Sequence, residues 1–104
     1  EMSFLAIDAE KSLFTLQRNQ LQFENCMIMS QINLCAKEMR FLQSEYPDDY
    51  DSQNEYVYYE QLDELLENEK DSIESQITAL DNEISGLKQL VNNNIKNIYF
   101  IYSF

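Results

Sequence analysis

Glycine and proline are nearly missing from this chain, one of each in 104 residues. Tight turns rely on them, so the chain has few places to reverse, and a compact globule of many short elements does not fit. Histidine is absent, which removes the side chain that most often exchanges protons near neutral pH. There is no G-x-S-x-G, no glycine-rich phosphate loop and no Cys/His set with zinc spacing. Acids are plentiful, but paired catalytic carboxylates need a pocket to move their pKa values apart. The reading is non-enzymatic, without a cofactor.

Basic residues are also few, seven against nineteen acids, for a net charge of −12. Phosphate backbones and anionic membrane surfaces are bound through Lys and Arg, so neither is an expected partner. No stretch approaches the roughly 20 apolar residues of a membrane span. The longest is Ile98-Tyr99-Phe100-Ile101-Tyr102. No signal-peptide pattern is seen, and the expected location is cytoplasmic, or exported without a cleavable signal. The two cysteines, Cys26 and Cys35, would stand ~13 Å apart on one helix, too far to bridge. They read as thiols packed like small hydrophobes, with an intermolecular disulfide as the alternative.

What is present favours helix. Leu, Glu, Gln, Lys and Met are frequent, and these lose little rotamer freedom in helices. From Phe4 to about Ser44 adjacent pairs recur every seven residues: Ala6-Ile7, Leu13-Phe14, Gln20-Leu21, Met27-Ile28, Leu34-Cys35 and Phe41-Leu42. Ala9, Leu16 and Phe23 widen the stripe early, Ile32 and Met39 late. This predicts one helix over about 4–45, ~60 Å long. Downstream, Ile73, Ile77, Leu80, Ile84, Leu87 and Val91 alternate four- and three-residue steps, a heptad seam. Tyr59, Leu62, Leu65 and Leu66 extend it upstream. The run 67–72 lacks any apolar group and is a weak point. Asn94 falls on a core position. A second helix is predicted over about 53–102.

The single proline, Pro47, lies between the two. A residue before proline avoids the helical region, so the first helix should end near Glu45. Ser52 and Glu55 read as a capping box that opens the second. A connection of about seven residues, 46–52, favours antiparallel neighbours. The expected fold is therefore all-α: a long antiparallel two-helix hairpin with coiled-coil-like spacing, in one domain over 1–104. Leu16, Phe23, Tyr58, Leu65, Leu90 and Ile95 lie off the narrowest seam. A lone pair of helices cannot bury them, so assembly into a larger helical oligomer is expected.

Charge is concentrated as well. Between Glu45 and Glu74 stand twelve acids and one base, Lys70. Asp49, Asp51, Gln53, Glu55 and Glu60 match positions 1, 3, 5, 7 and 12 of a calcium loop, a match that chance also supplies in so acidic a stretch. Glu60, Glu64, Glu67, Asp71 and Glu74 form an acidic face, read as solvated or as a site for a basic protein. Tyr46, Tyr50, Tyr56, Tyr58 and Tyr59 cluster at the turn, as an aromatic plug or a recognition surface. The C-terminal residues Ile98, Tyr99, Phe100, Ile101, Tyr102 and Phe104 are apolar on every side of a helix, and one face can pack on Phe4, Leu5 and Ile7. Together with Ile95 these make the predicted assembly interface.

The segment Glu45-Tyr46-Pro47-Asp48-Asp49 between two helices, with the adhesive end 94–104, resembles the helical-hairpin subunits of bacterial type III secretion needles. That resemblance implies a structural subunit of a filament or secretion-related tube. The run 73–96, with Asn92-Asn93-Asn94-Ile95-Lys96 before an aromatic tail, also looks like short helical proteins of uncultured gut bacteria, which implies no function. The alternative to a self-assembling subunit is an acidic adaptor or chaperone-like dimer that holds a basic protein.

Overall fold

The computed structural model describes the backbone of residues 3–102 and the side chains of residues 3–96. The chain is a helical hairpin. Helix α1 spans Phe4–Glu45, a short 3-10 helix spans Tyr50–Ser52, and helix α2 spans Asn54–Tyr102. No strand occurs among the described residues, and no helix there is long and apolar enough to cross a membrane.

The helix ends follow from local chemistry. Ser3 caps α1: its Oγ accepts a hydrogen bond from the Ala6 amide at 3.1 Å, satisfying one of the orphan donors of the first turn. α1 closes where the Tyr46 amide donates to the Leu42 carbonyl at 2.8 Å, one residue before Pro47. The expected capping box at Ser52 does not form. The Ser52 hydroxyl donates instead to the Asp49 carbonyl at 2.8 Å, and its amide donates to the same oxygen at 3.1 Å. Ser52 is thus consumed in closing the 3-10 turn. The first α2 bond runs from the Val57 amide to the Gln53 carbonyl.

The molecule divides into two compact units. The turn unit, Gln22–Glu74, has a core of Ile28, Cys35, Leu42, Tyr56, Leu66 and Ile73. Half-buried Asn25, Ile32 and Met39 fill the α1 positions between these, and Tyr59, Asp63 and Lys70 fill those of α2. Both rows step by three and four, the spacing at which two helices keep one stripe in contact. The gap at 67–72 is bridged by Lys70, which takes the seam position between Leu66 and Ile73. Its side chain is 26% exposed, and its ammonium pairs with Glu67 at 3.7 Å and Glu74 at 4.0 Å. The aliphatic stem covers the seam while the charge reaches the flank.

The terminal unit joins Glu1–Leu21 to Ser75–Phe104. Among its described residues Ile7, at 0% exposure, and Ile84 are buried. Phe14, Leu21, Ile77, Leu80, Leu87, Val91 and Asn94 are half-buried. Arg18 occupies an α1 seam position and its Nη1 donates to Asp81 Oδ1 at 3.1 Å, tying the two helices of this unit together.

Candidate functional site

Each repeating pair of α1 straddles the edge of the core. The second member faces in: Ile7, Ile28, Cys35 and Leu42 are buried, and Phe14 and Leu21 half-buried. The first member faces out, so Leu13, Met27, Leu34 and Phe41 are exposed. Leu16 and Phe23 are exposed too. On α2, Tyr58, Leu65, Leu90 and Ile95 are exposed, as the off-seam positions require.

In the turn unit, α1 and α2 form a shallow groove of ≈ 440 Å³ along one flank of the seam. Leu34, Cys35, Tyr59, Leu62 and Leu66 supply its apolar wall, and Gln31 and Glu38 its rim. Burial, and then the Asp63 carboxylate, push the Cys35 thiol above its ordinary 9.0, which keeps it protonated and inert at neutral pH. Tyr59 is also raised, first by desolvation and then by Glu38 and Glu55. The cysteines divide: Cys35 is packed as expected, whereas Cys26 is exposed and is not a core residue.

The acidic face is a face in three dimensions. At about 100° per residue, Leu62 and Leu65 lie on the groove flank of the α2 seam, while Glu60, Glu64, Glu67, Asp71 and Glu74 lie on the other. Lys70 draws Glu67 and Glu74 toward the seam. Of the calcium-loop candidates, Asp51 lies in the 3-10 helix Tyr50–Ser52, and Glu55 and Glu60 sit on α2. The Gln53 side-chain Nε2 donates to Asp49 Oδ2 at 3.3 Å. No group of three or more acids, histidines or cysteines converges among the described residues.

The tyrosine cluster splits between its two readings. Tyr56 is buried, stacks edge-on against Tyr50 at 5.0 Å and accepts a hydrogen bond from the Gln43 side-chain Nε2 at 3.3 Å, plugging the hairpin tip. Tyr58 contacts Tyr59 at 5.3 Å yet remains exposed, as does Tyr46. Of the predicted assembly residues, Phe4, Leu5 and Ile95 are exposed, while Ile7 belongs to the core of the terminal unit. The side chains of Ile98, Tyr99, Phe100, Ile101, Tyr102 and Phe104 lie outside the described residues. Two polar seam groups escaped the sequence reading: Arg18 Nε and Asn25 Oδ1 are buried without a hydrogen-bond partner. Their heptad positions were the available signal.

No protein-family model matches this chain, and neither a curated protein nor a solved structure is significantly similar to it.

Proposed function

We propose that this chain is a non-enzymatic structural subunit that self-assembles through its apolar helix faces and terminal segments, as a subunit of a filament or secretion-related tube does. One observation carries the reading. Among the described residues fifteen large hydrophobic side chains are exposed, against eight buried hydrophobic residues. Scattered exposed apolar groups are ordinary in a monomer, but a contiguous stripe marks a contact surface. Phe4, Leu5 and Ile95 stand exposed near the chain ends, where the apolar segment Ile98–Phe104 continues the sequence. Light scattering over a concentration series tests this: assemblies much heavier than one chain are expected, and deletion of 98–104 should release small oligomers. A single-chain mass at every concentration refutes it.

The second reading is an acidic adaptor or chaperone-like dimer that binds a basic protein. It is favoured by the gathering of Glu60, Glu64, Glu67, Asp71 and Glu74 on one flank of α2. It predicts a discrete dimer or tetramer, and capture of a basic protein that fades with salt and is lost when Glu60, Glu64 and Glu67 become Gln.

A further inference from the structure

We propose that α1 carries a second, outward seam, opposite the one that holds the hairpin, and that it pairs with the same seam of another copy. The inference rests on the self-assembly reading and names the contact. Within the turn unit Phe23, Met27, Leu34 and Phe41, all exposed, fall at steps of four or seven. Only Ser30 and Lys37 interrupt the pattern. At about 100° per residue this row lies ~150° around α1 from the buried row, so one helix presents two heptad seams.

Charge selects the occupant. Residues 22–44 hold two acids and two bases, so this surface does not repel itself. The acidic flank belongs to α2. Contact from α1 to α1 therefore places both acidic helices outermost. With ~10 Å between packed axes, the two α2 axes are then ~30 Å apart, several screening lengths at physiological salt. A contact made through the acidic flank of α2 would instead press like charges together. The exposed parts of these four side chains amount to roughly 450 Å² per copy, over half of the about 800 Å² per partner in an interface of standard size. Flanking Asn33 and Arg40 add to it.

Cys26 is a native reporter. It is exposed and borders the seam. Pairing of 23–41 on 23–41 sets the two Cys26 residues level in a parallel pair and ~18 Å apart along the axis in an antiparallel one. With a spin label on Cys26 of the unaltered chain, an interchain distance below about 25 Å is expected for adjacent axes; one above about 35 Å, as contact through α2 would give, overturns the proposal. Separately, Phe23→Glu with Leu34→Glu should weaken association by about a hundredfold with helicity by circular dichroism unchanged. Tyr58→Glu with Leu65→Glu, on α2, should leave it as it was. Unchanged association in the α1 variant overturns the seam while leaving self-assembly standing. A wild-type chain that stays single at all concentrations removes both.

Discussion

Replacing Leu42 and, separately, its neighbour Phe41 with alanine measures whether the buried row has been placed correctly. The residues are adjacent and Phe41 is the larger, yet Leu42 is 4% exposed and Phe41 57%. Leu42→Ala removes three buried carbon atoms and leaves a gap in the seam. Core substitutions of this kind cost about 2–5 kcal/mol; between only two helices the gap collapses readily, so about 2–3 kcal/mol is expected. Phe41→Ala removes more atoms, but over half of that surface already faces water. Alanine's higher helix propensity returns roughly 0.5 kcal/mol. The expected net cost is below about 1 kcal/mol. Urea unfolding followed by helicity at low micromolar concentration reads both, from midpoints at a common slope. Equal losses, or a Leu42→Ala cost under about 1 kcal/mol, would show that the α1 row has been assigned to the wrong face.

Asn25→Leu should stabilise the turn unit by about 1 kcal/mol, because it removes a buried oxygen with no partner; a lower melting temperature would mean that the oxygen is satisfied by water. Under native conditions a thiol reagent should modify exposed Cys26 quickly and buried Cys35 slowly, the two reacting alike only in denaturant. Because the folded Cys35 thiol titrates above its ordinary 9.0, first through burial and then through Asp63, its contribution to stability is complete below that value and is lost as pH rises through the folded pKa. Cys35→Ala should flatten part of that alkaline decline, and an unchanged slope would discount the thiol. Converting Glu60, Glu64 and Glu67 to Gln should raise stability by roughly 0.5 kcal/mol at low salt through relief of three- and four-residue repulsions, a gain that about 0.5 M NaCl should erase; persistence of the gain in salt would point to a non-electrostatic cause.

Helix identity, the break at Pro47 and the uneven charge were legible in the residues because they depend on local chemistry. Side-chain entropy favours helix, proline forbids it one residue earlier, and charges can be counted. The candidate surface was legible in part. Leu16, Phe23, Tyr58, Leu65, Leu90 and Ile95 stood off the seam in sequence and are exposed in the fold. The cap was not legible, because Ser52 had two acceptable roles, and the Asp49 carbonyl decided between them.

What the sequence alone determined is that α1 is apolar over a wide arc and that the acids gather between Glu45 and Glu74. A period of 3.6 residues places side chains around a helix axis, but it cannot say where on that arc a neighbour sits. Only the tertiary structure chose Leu42 over Phe41 and Cys35 over Leu34 as core. It also filled the apolar gap with the stem of Lys70 and drew Ile7 into the interior of the terminal unit. The reason is geometric: two helices touch along one narrow strip each, so every apolar group beyond that strip is left facing outward.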